Sequence, residues 1–269
     1  MLYLWLSVLC SVLIANFLMV FGRKKGINTM PIFLGNYFIA TVFSAFSLNP
    51  APSSGFDVSF GMLTGAFFLI NLWVYQKCIV VNGLSLSVGA MRIAMILPIV
   101  ISLIFFGETL GVVNILGIAL GLMAFGLKAE PGAMRNFLWI MLLFVISGFS
   151  DASMKIFKEL GSGNESFFVF MVFCSAFVYT LGSIILGKIA FSPKLVLYGF
   201  ILGIPNRYST VFFLKGLDQV PAAIAYPIVA VSIVLLSIFS DIFLWKRRPG
   251  GKDLLLWILL IISLILLNL

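Results

Sequence analysis

The sequence predicts an all-α membrane protein of about ten transmembrane helices arranged as two inverted five-helix repeats. Three observations carry this. Apolar runs long enough to cross a bilayer recur along the whole length, in a chain that is 62% hydrophobic and 10% charged, where an ordinary soluble domain carries roughly 25% charge. Segments of ~10 residues with alternating polarity, which a closed β-barrel would need, are absent. The two halves of the chain also resemble each other in helix count and in the placing of glycines and lysines.

Taken in order, span 1 covers residues 2–21 and ends at "GRKKG"; without a basic start it reads as a membrane helix, not a cleavable signal peptide. Span 2, residues 31–47, stops at "SLNPAPSSG", where Pro and Gly cluster and periodicity lapses. Spans 3, 4 and 5 cover residues 57–80, 84–106 and 111–127. They are joined by "VNG" and "GETLG", and connections this short make neighbouring helices antiparallel. Spans 6 to 10 cover residues 136–157, 166–187, 195–214, 220–244 and 253–268. The repeats accordingly divide at residues 1–130 and 131–269 within one membrane domain.

Charge orients the bundle. Loops after the odd-numbered spans hold Arg23, Lys24, Lys25, Lys77, Lys128, Arg135, Lys188, Lys194, Lys246, Arg247, Arg248 and Lys252. The opposite set holds Lys155, Lys158 and Lys215. The positive-inside rule then puts the first set in the cytoplasm and both termini outside, in the plasma (inner) membrane. The net charge of +8 is explained by this bias, so no nucleic-acid partner is expected. Lipid is the expected surroundings.

Composition also excludes chemistry. There is no histidine, which removes imidazole triads and the common metal sites. Cys10, Cys78 and Cys174 lack the paired spacing of a zinc site or a disulfide framework. No GxxxxGK[ST] loop is present for nucleotide-driven pumping. No metal, no cofactor and no enzymatic activity are expected.

The repeat is visible in register. "LTGAFFLINLWVYQKCIVVNGLSLSVGA" lies over "ILGIPNRYSTVFFLKGLDQVPAAIAYPI", which brings Gly65 onto Gly203 and Lys77 onto Lys215. Each half has five spans, an odd number, so the second copy must be inverted; secondary transporters use this architecture, with the substrate site near the midplane.

Residues 83–127, "GLSLSVGAMRIAMILPIVISLIFFGETLGVVNILGIALGLMAFGL", join a helix with a central proline to a "GE" corner and a glycine-bearing helix. Pro98, Gly107, Glu108, Gly117 and Gly121 supply these parts, and "GIPNRYSTVFFLKGLDQVPAAIAYPIV" supplies the corresponding later helices. The chain in this respect resembles the drug/metabolite transporter superfamily, in its ten-helix EamA-like branch. The resemblance implies a central cavity lined mainly by helices 1–4 and 6–9, with helices 5 and 10 at the side. It also implies transport of a small solute: members export amino acids, drugs or other metabolites, or exchange nucleotide sugars or phosphorylated sugars. The second copy departs at its corner, where "WKRRPGG" stands for "GE" with Arg247 or Lys246 in place of the acid. A role that needs glutamates at both corners does not carry over.

The polar residues inside the spans are the candidates for function. Arg92, about nine residues into span 4, cannot lose its proton and costs roughly 2.5–3.5 kcal/mol at a helix centre. It is either half of a fixed ion pair or an anion site facing the cavity, since arginine favours bidentate capture of carboxylate or phosphate. Asn206, Arg207, Tyr208 and Ser209 follow Pro205 in span 8 and are read as cavity lining or as packing around a kink. Asp151 either pairs with Lys155 one turn later or partners Arg92, Arg207 or a substrate ammonium. Glu108 is expected to cap the N-terminus of span 5, with proton coupling as its alternative role. Asn16, Asn36 and Asn71 are interhelical hydrogen bonders or ligands, and Tyr75 and Tyr226 are candidate cavity walls.

The function these residues predict is secondary transport, as an exporter, of a small polar metabolite such as an amino acid or organic anion, coupled to protons or a counter-solute. A multidrug or lipophilic-cation exporter is the alternative, with Asp151 as its acid. An intramembrane enzyme or lipid-handling scaffold ranks behind both, because no catalytic constellation is present.

Overall fold

The computed structural model describes residues 1–22, 28–82, 84–126, 137–244, 246 and 251–269. All regular structure among them is helical: α1 (Leu2–Gly22), α2 (Met30–Ala45), α3 (Gly55–Asn82), α4 (Leu84–Ile93), α5 (Ile96–Phe105), α6 (Val112–Gly126), α7 (Phe137–Leu160), α8 (Glu165–Leu186), α9 (Pro193–Leu217), α10 (Ala222–Phe243) and α11 (Gly251–Leu267). Four stretches are by themselves long and apolar enough to span a bilayer: Gly55–Cys78, Phe137–Leu160, Glu165–Leu186 and Ala222–Ser240. Five shorter apolar helices accompany them. Large side chains such as Leu138, Phe105, Ile185 and Leu254 are exposed, which in water would be a costly surface and in a bilayer is the face that lipid covers. The protein is a multi-pass integral membrane protein.

Span 4 differs from the single helix expected. It is two helices, α4 and α5, meeting at Ala94 and Met95. The cause is Pro98, which has no N–H to return to the carbonyl four residues back. That carbonyl, of Ala94, accepts from Leu97 N at 3.0 Å, and Met95 N bonds Arg92 O at 3.3 Å, so the backbone tightens for one turn. Arg92 therefore sits in the last turn of a short helix, next to the break.

The described residues fall into two compact units, and each draws on both halves of the sequence. One contains Met1–Leu69 and Ile156–Gly216, the other Ile70–Lys155 and Leu217–Leu269.

In the first unit α2 crosses α9 with their backbones in contact. Gly35, Gly199 and Gly203 make this possible: a Cβ on Gly199 would overlap the Ile32 carbonyl oxygen, and one on Gly203 the Asn36 carbonyl oxygen. Ile32 and Leu202 fill the crossing, flanked by Ile14, Phe17, Leu195 and Tyr198. The unit's loops are tied as well. Buried Asp57 accepts from Ser54 N at 2.8 Å and from Ser162 N at 3.0 Å, while Asn164 caps α8 through Phe167 N and donates to Ala51 O at 2.7 Å. The bonds to Ser54 N and Phe167 N satisfy donors at the starts of α3 and α8, and the others tie the turn after α7 to the start of α3 and the loop before it.

In the second unit α6 and α11 approach through Gly117 and Gly121, and Ser263 Oγ donates to Gly117 O at 2.6 Å. Gly148 of α7 lets Leu97 of α5 pack directly over its backbone. Val74, Cys78, Ala90 and Leu143 form a core joining α3, α4 and α7, with Tyr75, Met91, Trp139 and Ile140 around it.

Candidate functional site

One face of α7 is polar at a spacing of four residues: Ser147, Asp151 and Lys155. Successive members lie about 40° apart around an α-helix, so all three point to the same side. Each meets a different element of the second unit. Ser147 Oγ donates to Asn71 Oδ1 of α3 at 2.7 Å. The Asp151 carbonyl accepts from the Tyr226 hydroxyl of α10 at 2.6 Å. Lys155 Nζ lies 2.7 Å from Glu108 Oε1 in the α5–α6 corner, and 5.4 Å from the centre of the Phe106 ring.

Asp151 is exposed although Ser147 and Lys155, one turn to either side, are buried. Among the exposed apolar residues of α7, Leu138, Leu142, Phe149 and Leu160 lie about 140–180° around the helix from it, while Phe137 and Met141 lie about 40° and 80° from it. The carboxylate shares its face of α7 with Ser147 and Lys155.

Arg92 is half-buried in α4, and its charge and that of Asp151 act on each other. The two form no ion pair among the described residues, and Arg92 Nε is buried without a hydrogen-bond partner. Tyr75 of α3 lies in the same field. Opposite charges, two tyrosines and Asn71 thus belong to one unit, with the acid and base acting on each other but unbonded. Such an arrangement can take a solute's anionic group on the guanidinium and a cationic group on the carboxylate.

Two expectations change here. Lys155 goes to Glu108, not to Asp151, because the α5–α6 corner puts a carboxylate within reach of its buried ammonium. Glu108 does cap a helix, but α10 and not span 5. Its Oε1 accepts from Ala222 N at 2.9 Å and its Oε2 from Ala223 N at 2.7 Å. Gly107, with φ +65°, turns the corner, and Glu108 N returns to Ser102 O at 3.2 Å, which fixes the backbone that carries the side chain. Burial alone would raise the Glu108 carboxyl. The bonds from Lys155, Ala223 and Ala222 outweigh it and hold the group below its ordinary value.

The remaining candidates lie in the first unit. Arg207 is buried in α9, donates Nε–H to Ser44 Oγ of α2 at 3.2 Å and stacks over the Tyr208 ring at 4.8 Å. Asn206 Nδ2 donates to Asn36 Oδ1 at 3.1 Å. Asn16 bonds within its own helix, to Val12 O at 2.9 Å. Arg207, Asn206 and Asn36 thereby join α9 to α2. Ser7 and Ser11 of α1 also meet Ser209 of α9, Ser11 Oγ and Ser209 Oγ lying 2.8 Å apart, a contact that sequence spacing did not suggest. Arg247 and the rest of "WKRRPGG" lie outside the described residues except for Lys246 and Gly251.

The partners of Lys155 and Ser147 are also new. The i, i+4, i+8 polar stripe on α7 was a visible signal for them; which residues answer it was not.

Comparison with known proteins agrees with this architecture. The sequence profile of the EamA-like transporter family matches residues 134–269. An uncharacterized protein of Haemophilus influenzae is 25% identical over 96% of this chain and 93% of its own length. A solved crystal structure of 14% identity superimposes with a TM-score of 0.78, covering 98% of this chain and 94% of the other, and so shares its fold.

Proposed function

The chain belongs to the EamA-like transporter family, membrane transporters of the drug/metabolite transporter superfamily, and within it we propose that it exports a small polar metabolite with an anionic or zwitterionic head, such as an amino acid or organic anion. Arg92 binds the solute's carboxylate or other anionic group. Asp151 takes an amine where the solute has one, and Tyr75, Tyr226 and Asn71 form the walls. The two sequence halves act as inverted repeats in the plasma membrane. Export runs by alternating access, with protons or a counter-solute as the driving partner, and no chemical step or cofactor is involved.

The observation that carries this reading is the unbonded opposition of Arg92 and Asp151. A half-buried arginine in the field of a carboxylate normally closes into a hydrogen-bonded pair, because a charge left without a partner pays its desolvation. Here Arg92 Nε stays unpartnered and the Asp151 side chain is exposed, with no bond between them. A zwitterion or hydrated anion answers both. Arg207, in the other unit, is a second buried cation, with a serine and a tyrosine as its neighbours.

A lipophilic-cation exporter is the second reading, favoured by one finding: Lys155 does not neutralise Asp151. Arg92 weighs against it, since a guanidinium in the same field repels a cationic solute. Uptake of mixed amino acids, organic acids and quaternary amines into proteoliposomes, read by mass spectrometry, separates the two. Accumulation of the quaternary amines alone, undiminished by Arg92, would reject the first reading.

A further inference from the structure

α10 begins after Pro221, and Pro221 supplies no side-chain cap for the helix start. The N–H groups of Ala222 and Ala223 would have no partner within the helix. Glu108 meets both, one per carboxylate oxygen, and its charge suits the positive end of the helix. The same carboxylate neutralises Lys155, whose ammonium is buried in α7. One residue from the α5–α6 corner therefore ties the start of α10 to a fixed turn of α7.

One turn along each helix is a second tie. Tyr226 follows Ala222 by four residues, Asp151 precedes Lys155 by four, and the Tyr226 hydroxyl donates to the Asp151 carbonyl at 2.6 Å. A single tie lets two helices pivot about it; two ties a turn apart fix both their register and their rotation. The Tyr226 hydroxyl also meets the Lys155 main chain, so the second tie grips the α7 backbone across the 151–155 turn whatever side chain stands at 151.

We propose that Glu108 and Lys155, acting with Tyr226, are positioning residues that hold Asp151 at the solute site by bracing α7 against α10. The inference rests on the reading of Arg92 and Asp151 as that site. Glu108 must be an anion for this, because a neutral amide cannot accept from both α10 amides and also neutralise Lys155.

The test uses the full chain in proteoliposomes with Cys10, Cys78 and Cys174 replaced by serine and Asp151→Cys introduced. Its thiol is modified with an anionic (sulfonatoethyl) and a cationic (trimethylammonioethyl) methanethiosulfonate. With Arg92 intact the anionic reagent reacts faster by about fivefold or more, and Arg92→Met abolishes the preference. No preference with Arg92 intact rejects the site reading itself and the positioning role with it. Given the preference, Tyr226→Phe and Glu108→Gln each slow the anionic reagent by about fivefold, and the pair together by no more than either alone, since both ties hold one segment. A rate for Tyr226→Phe within about twofold of the parent overturns the positioning role and leaves the site reading standing. Tyr226→Phe decides the matter alone where Glu108→Gln does not fold. The exchange Glu108→Lys with Lys155→Glu stays slow, because a lysine cannot cap α10; recovery of the parental rate would reduce the pair to a plain ion pair and overturn the bracing role.

Discussion

Arg92 is expensive wherever it lacks a partner or water, and the structure gives it neither an acid in contact nor a bond at Nε. Bound solute supplies what is missing, so substitutions at residue 92 separate binding from folding. Arg92→Lys keeps the charge but loses the planar fork, and solute affinity should fall about tenfold with the detergent-solubilised Tm unchanged. A fixed ion pair would give the opposite pattern: normal affinity in Arg92→Lys, and collapse of stability in Arg92→Ala. Asp151→Asn should weaken binding of zwitterionic solutes more than of simple anions, without removing the pH dependence of transport; loss of that dependence at intact affinity would make Asp151 the proton carrier. The candidate residues were legible in the sequence because ionisable and amide groups stand out in apolar helices. Their partners were not. Lys155 had an acid four residues away in sequence and chose one from a different helix corner, since only three-dimensional packing decides which of two carboxylates a buried ammonium reaches.

At the level of the elements, the sequence marked every span to within a few residues, because hydrophobic length is set by the bilayer and ends are set by Pro, Gly and charge. The break within span 4 was missed as a break although Pro98 was noted as central. A proline interrupts the turn before it, and whether the helix bends or divides depends on the packing there. Pro98→Ala restores the missing N–H for Ala94 O and should merge α4 with α5. Thermal stability should hold or rise while solute affinity drops, because Arg92 rotates with the rewound turn; unchanged affinity would dissociate the break from the site. The α2–α9 crossing gives the converse case. Gly199→Ala puts a methyl group into the Ile32 carbonyl and should cost about 1–3 kcal/mol in denaturation measurements, as overpacking does. The Glu108 cap adds a pH signature. Its folded-state carboxyl lies below its ordinary value, so its stabilisation is complete above the unfolded glutamate range and is lost as pH falls through the lowered folded value. Acid unfolding curves of Glu108→Gln should lack that component; a curve superimposable on the parent's would remove Glu108 from the cap.

For the whole molecule, fold and family were readable from the sequence, but the grouping of helices was not. The repeat suggested by Gly65 over Gly203 and Lys77 over Lys215 divides the chain at its middle, whereas each compact unit takes helices from both halves. Linear sequence reports order along the chain, and packing joins helices that lie far apart in that order. The proposed sidedness, with "GRKKG" in the cytoplasm and "SLNPAPSSG" outside, predicts that an impermeant thiol reagent labels cysteines placed in the second loop, and not the first, in intact cells.

The claim at the centre is that Arg92 binds an anionic group of a transported solute. It is tested most directly by reconstituting the protein and its Arg92→Met variant side by side, loading the vesicles with an equimolar mixture of amino acids, organic acids and quaternary amines without a carboxylate, and following each solute by mass spectrometry. Selective movement of solutes carrying a carboxylate, abolished in a variant that is still folded, is the predicted result. Equal transport of the same solutes by the folded Arg92→Met variant would contradict it.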